Sequence, residues 1–332
     1  MEQIRKNRKK SFFNKIFSGF VDMLKADMGI LLGLAVICAI VAFSSEYFLT
    51  SKNIFNFLRQ VSTTTIVACA MTMIIITGGI DLSCGAVIGL ASVLSAGLIT
   101  NNRLPIWLAV AMVLLVGVLV GTINGFILSR TVLPAFIVTY SLQSICQGAS
   151  FIYTNAQTIR VAAPGFIEIG TGHLLGIPYP VIYMVLIIFI SYLILNKTKM
   201  GRNMYAIGGN PKAAEFAGIN IKGIKVFIYM LIGLVSAFAG IIMAARSYSG
   251  LPTAGQGFEM DVIAAVVLGG VSMAGGTGRI SGTVIGALIL AILNNGMNLM
   301  GISTFYQYIV KGVIILIAIY GDDLKRRGAK LI

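Results

Sequence analysis

The sequence predicts an all-α, polytopic membrane protein of about ten transmembrane helices, and three observations carry that prediction. Of 332 residues, 57% are hydrophobic and 11% are charged, where a soluble domain carries about a quarter charged. Apolar runs of roughly 20 residues, the length a helix needs to cross a hydrocarbon core, recur along the chain. Basic residues cluster on alternate connections between those runs. The same composition, with 38 glycines and a mean hydropathy of +0.92, excludes a disordered chain, a collagen-like repeat and a disulfide scaffold.

In chain order, residues 1–28 read as a basic cytoplasmic segment. Phe13, Ile16, Phe17, Phe20 and Leu24 recur there at helical spacing among lysines, as in an amphipathic helix lying on a leaflet. No small-residue cleavage site follows an apolar core, which argues against a cleaved signal peptide. The transmembrane region covers 29–321, with spans near 29–49, 62–80, 84–101, 105–129, 134–154, 179–196, 223–246, 260–274, 280–300 and 305–321. A basic cytoplasmic tail, 322–332, follows. Paired glycines at Gly78-Gly79, Gly269-Gly270 and Gly275-Gly276 interrupt the pattern, either as breaks around an internal cavity or as close helix packing.

The net charge of +14 raises the question of a nucleic-acid partner, and placement answers it. With the amino terminus inside, nineteen of the 25 basic residues fall on the cytoplasmic side. Five (Lys52, Arg59, Arg103, Arg160, Arg246) fall outside, and Lys311 lies within the last span. The charge is therefore a topology signal that puts both termini in the cytoplasm. Cys38, Cys69, Cys84 and Cys146 stand in apolar runs without metal or redox spacing, and no metal site is expected.

Long hydrophilic connections stand out among short ones. The cytoplasmic stretch 197–222 contains Gly208-Gly209-Asn210-Pro211, where asparagine can cap and proline fits a first helical turn, followed by a short helix bearing Ala213, Ala214 and Gly218. Outside, 155–180 holds the single histidine, His173, which reads as solvated. Glu259 and Asp261 stand at the expected mouth of a span, with Arg246 as an available partner. Asp81 follows a glycine break and precedes Ser83, which suits a helix cap or a polar pathway. Residues 78–90 share six identities with 275–287, a sign of an internal repeat. Phosphate-loop, zinc-protease and triad motifs are absent, so no catalytic residue is expected and any ATP hydrolysis belongs to another chain.

Four stretches resemble one family. They are Thr77–Leu90 (TGGIDLSCGAVIGL), Leu133–Thr154 (LPAFIVTYSLQSICQGASFIYT), Gly201–Ile219 (GRNMYAIGGNPKAAEFAGI) and Phe258–Gly278 (FEMDVIAAVVLGGVSMAGGTG). Their order and full-length spread resemble the permease subunits of bacterial ribose-type ABC importers, with a type II importer permease fold. The resemblance implies a multi-pass permease in the bacterial cell membrane, a second permease copy, cytoplasmic ATP-binding subunits that hold ATP and Mg, and an external binding protein that delivers a monosaccharide; this chain needs no cofactor. It also implies that Gly208, Gly209, Asn210, Pro211, Ala213, Ala214, Glu215 and Gly218 contact the ATPase as a coupling helix. Asp81, Ser83, Asn124, Thr139, Ser141, Gln143 and Asn294 are candidates for the pathway, and Arg160, Arg246, Glu259 and Asp261 for the external mouth or the docking of the binding protein. Cys84, Gln147 and Tyr140-Ser141 depart from the residues common in the family. The competing expectation is an ion-coupled secondary carrier, which requires carboxylates deep in the bundle, whereas the acids here read as lying at span ends. A channel finds no filter or charged ring in the sequence.

Overall fold

The computed structural model describes residues 28–329. The amphipathic stretch expected at 13–24 and the last residues of the expected tail lie outside the described residues. The chain runs α1 (Met28–Ser44), α2 (Ser51–Ile76), α3 (Cys84–Thr100), α4 (Ile106–Arg130), α5 (Ala135–Thr154), β1 (Ile159–Arg160), α6 (Pro164–Thr171), β2 (His173–Leu174), β3 (Ile177–Pro178), α7 (Tyr179–Lys197), α8 (Lys199–Gly209), α9 (Pro211–Phe216), α10 (Ile221–Ser247), β4 (Ser249–Gly250), α11 (Phe258–Leu268), α12 (Ile280–Leu299) and α13 (Thr304–Ala329). Among the described residues, six helices are long and apolar enough to cross a membrane: α2, α4, α7, α10, α12 and the Thr304–Gly321 part of α13. α1 and α3 are shorter apolar helices. The protein is thus an all-α, polytopic membrane protein.

α2 is the axis of the bundle. Thr50 caps it by accepting the Asn53 amide, and from Val61 to Ile76 every residue except Thr64 is buried. α7, α10, α11 and α12 surround it. By contrast α4 leaves Leu115, Leu119 and Ile123 exposed, the apolar face expected toward lipid. Its opposite face carries Gly117 and Gly121, where a methyl group would strike the backbone of Gly233 and Tyr229 on α10. Such backbone-to-backbone approach is how helices gain van der Waals contact where lipid supplies no hydrophobic drive.

The expected span at 260–274 is not a continuous helix. After α10, Tyr248 turns the chain with a φ of 55°, and β4 pairs antiparallel with β1. The segment then runs along α3 as a series of tight turns, Gly250 against Ser92, Pro252 against Gly89 and Gly255 against Gly85, before the short α11 begins. Non-helical backbone inside a membrane protein needs partners for its polar groups. Here the Leu251 N–H donates to Ser92 Oγ at 3.2 Å, and Gln147 Nε2 donates to the Pro252 carbonyl at 2.8 Å.

The repeat seen at 78–90 and 275–287 has a physical counterpart. Gly78 and Gly275 both take positive φ, 78° and 85°, a region that costs a residue with a Cβ but not glycine. Each break is followed by a helix, α3 from Cys84 and α12 from Ile280. The glycines of α3 (Gly85, Gly89) receive the turn-built half of 249–268, and their counterparts on α12 (Gly282, Gly286) receive its helical half. One broken segment is therefore gripped at both ends by repeat-related glycine faces. A valine at Gly286 would drive Cγ atoms into the Ala265 carbonyl and the Gly269 amide. Gly286→Val should destabilise the purified protein by about 1–3 kcal/mol or more, read as a lower midpoint in thermal unfolding in detergent. Gly33→Ala, where a Cβ meets nothing within 4 Å, should leave the midpoint in place.

Candidate functional site

The stretch 197–222 folds as two short helices. Thr198 Oγ1 accepts the Gly201 amide and starts α8; Asn210 Oδ1 accepts the Ala213 amide at 3.1 Å and starts α9, with Pro211 in its first turn. The C-terminal glycines of α8 press into the bundle. A Cβ at Gly208 would strike the Ile76 carbonyl and the Gly276 amide, which are themselves joined by a Gly276 N–H to Ile76 O bond of 2.8 Å. Tyr205 reinforces the junction, its hydroxyl donating to the Gly278 carbonyl at 2.8 Å. Gly208 thus meets both the Ile76 carbonyl just before the first break and the second break at Gly275 and Gly276, while Gly209 meets the second break alone. α9 itself faces outward: Ala213 and Glu215 are exposed and Ala214 is buried. Phe216 is 92% exposed, and Gly218 reverses the chain with a φ of 76°.

A second cluster is sealed in the interior. Asp81 Oδ1 accepts both the amide and the hydroxyl of Ser83 at 2.6 Å, Asn124 Nδ2 donates to Ser83 Oγ at 2.9 Å, and Thr139 Oγ1 accepts the Leu82 amide at 3.1 Å. Tyr229 closes it by donating to the Ile80 carbonyl. Three predicted pathway residues, Asp81, Ser83 and Asn124, are therefore bound to one another around the first break, and a fourth, Thr139, holds the Leu82 amide between them. Ser83 rather than Asp81 takes the N-cap position of α3, and its side chain makes no capping bond. Close by, Glu259 lies against Gly85 and accepts from Gln143 Nε2 at 3.2 Å. Asp81 and Glu259, 1% and 7% exposed, are interior carboxylates. This corrects the expectation that the acids occupy span ends, which arose because Glu259 follows an irregular segment that itself lies inside the bundle.

The third region is a series of three cavities. An outer one of about 420 Å³ is lined by Asn56, Arg59, Gln60, Thr171, Arg246 and Tyr248. It shares Gln60 and Arg246 with an inner one of about 160 Å³, which also contains Thr63, Thr64, Phe258, Asp261 and Asn294. On the other side of Phe258 and Asp261 a groove of about 380 Å³ extends to Gln256, Tyr308 and Lys311. The expected Asp261–Arg246 pairing gives way to a different partner: Lys311 Nζ lies 2.9 Å from both Asp261 oxygens, the one ion pair among the described residues. α13 crosses beside α11 and brings Lys311 there, a contact between residues 50 apart in sequence. At the rim, Arg59 donates to His173 Nε2 at 2.7 Å and to Asn56 Oδ1 at 3.2 Å, so His173 is engaged rather than merely solvated.

The remaining candidates scatter. Arg160 lies in β1, with its carbonyl accepting from Thr100 Oγ1, apart from Arg246. Ser141 is exposed on α5, its hydroxyl returned to the Ile137 carbonyl. Gln60, Thr63, Thr64, Lys311 and Phe216 were not singled out from the sequence. Lys311, a lone cation inside an apolar run, carried the clearest signal. Removing one partner of its ion pair strands the other in a low-dielectric setting. Asp261→Asn and Lys311→Met should each cost about 1–3 kcal/mol, discounted from the fully buried case because both side chains are about a quarter exposed or less. The double variant should cost clearly less than their sum in a thermal-unfolding cycle.

Comparison with known proteins places this architecture. Residues 53–319 match the family of the branched-chain amino acid transport system / permease component. The ribose import permease protein RbsC of Bacillus subtilis is 44% identical over 326 residues, covering 98% of each chain. RbsC of Escherichia coli K12 is 43% identical over 303 residues, covering 89% of this chain and 93% of its own. The L-arabinose transport system permease protein AraH of E. coli is 39% identical over 304 residues, covering 92% of each. No solved structure matches the chain. This glycine-broken helix bundle, matched by these permeases over nearly its whole length, belongs to the branched-chain amino acid transport system / permease component family.

Proposed function

We propose that this chain is the permease subunit of an ATP-driven importer in the bacterial cell membrane, carrying a monosaccharide of the pentose type delivered by an external binding protein. The ribose and L-arabinose permeases among its relatives support the substrate class. In this reading ten segments cross the membrane, both termini face the cytoplasm, and ATP and Mg are held by a partner subunit. The family match supports this over an ion-coupled carrier.

One observation carries the reading: a phenylalanine, Phe216, 92% exposed on a capped helix whose neighbour presses on both helix breaks. Such a residue on a basic cytoplasmic surface fits a pocket of another protein. ATP-driven closure of the partner would then push α9 and, through Gly208, move the breaks that shape the pathway. α5 and the turns at 251–257 form a second surface for a partner. Tyr140, Ser141, Ser144, Thr253, Gln256 and Gly257 are exposed there beside irregular backbone. Irregular backbone does not face lipid, so this face is assigned to the second permease copy, with the passage between the two. Arg160 and the outer cavity at Arg246 face the binding protein in this arrangement.

Gly218 is unsuitable for testing the coupling surface, since any side chain there is strained by its φ of 76°. Phe216→Ala tests it directly. The variant should fold as the parent does while co-purification with the ATP-binding subunit and sugar-dependent ATP hydrolysis fall at least tenfold. Parental assembly and hydrolysis would contradict the assignment.

A further inference from the structure

The inner cavity has the chemistry of a small polyol site. Its wall combines donors (Arg246, Gln60, Thr64) with acceptors (Asp261, Asn294), and Phe258 supplies an aromatic surface. Asn294 Oδ1 is buried there with no hydrogen-bond donor, which leaves an acceptor whose desolvation is uncompensated until an O–H reaches it. Lys311 holds the Asp261 carboxylate in place through both oxygens, so that Arg246 is not drawn into an ion pair with it. A sugar needs this mixture: alternating donors and acceptors around its edge and an apolar platform for its C–H face.

At about 10–15 Å³ per water-sized position, the 160 Å³ cavity accommodates on the order of ten such groups, the scale of one pentose with roughly ten non-hydrogen atoms. It shares Gln60 and Arg246 with the outer cavity, and Phe258 and Asp261 with the groove that reaches Gln256, Tyr308 and Lys311, so it lies between the two.

We infer that the cavity bounded by Gln60, Thr64, Arg246, Phe258, Asp261 and Asn294 is a monosaccharide site within the protomer, lying between the cavity at Arg59 and Tyr248 and the groove beside the Asp261–Lys311 pair. The inference rests on the sugar-permease reading above. Few contacts and partial exposure make it a weak site, as onward release requires.

The test uses the full chain in lipid nanodiscs, with Cys38, Cys69, Cys84 and Cys146 replaced by alanine and Asn294→Cys introduced. D-ribose or L-arabinose in the millimolar range should slow methanethiosulfonate labelling of that cysteine at least fivefold, while sucrose should not. In a second measurement Asn294→Leu, on the native background and assembled with its partners, should lower sugar uptake at least tenfold with its thermal midpoint kept. Equal labelling with and without pentose, together with parental uptake by Asn294→Leu, would overturn the site and leave the sugar-permease reading intact. A parental importer that takes up neither pentose nor any other monosaccharide would instead remove that reading, and the inference with it.

Discussion

The architecture depends on one backbone-to-backbone contact, made where no side chain can intervene. Gly208 of α8 meets the Ile76 carbonyl at the end of the central helix and the Gly276 amide in the opposite break. A single methyl group at Gly208 would separate all three. Because the contact is rigid and short, movement of α9 has nowhere to go except into both breaks together. Close-packed interfaces transmit displacement in this way, whereas a loop held by long side chains would absorb it.

The two breaks are geometrically related and chemically different. The first is held by the Asp81–Ser83–Asn124 bonds, with Thr139 accepting the Leu82 amide beside them. The second has Gly278 where the first has Asp81, and it bears directly on Gly208 and Gly209. Between them the segment 249–268 changes from a series of turns to helix, and at that change Gly257, Phe258 and Asp261 meet the cavities. A segment that is half turns and half helix can alter its contacts by small rotations at its junction, which a continuous helix gripped by both glycine faces could not do without unwinding.

Much of this was legible in the sequence, for physical reasons. Membrane residence follows from composition, and the capped helix at Asn210-Pro211 from local turn chemistry. Gly78 and Gly275 announced the breaks because few other residues accept their conformation. The stretch of turns at 249–257 was not legible as interior, since its polar, glycine-rich residues look like a surface loop until the helix they lie against is known. Non-local pairing was equally hidden: Arg246 is near Asp261 in sequence, but Lys311 reaches it through the packing of α13 on α11. Phe216 passed as a helix former, because exposure is a property of the fold and not of the residue.

The central claim is that the Gly208 contact transmits the partner's motion to the pathway. The most direct measurement is Gly208→Ala in the importer assembled with its ATP-binding subunits and binding protein, with hydrolysis and uptake followed in the same vesicles. If the contact is the transmission, assembly and ATP hydrolysis persist while sugar uptake falls at least tenfold. Parental uptake per ATP hydrolysed, with the complex equally intact, would contradict it.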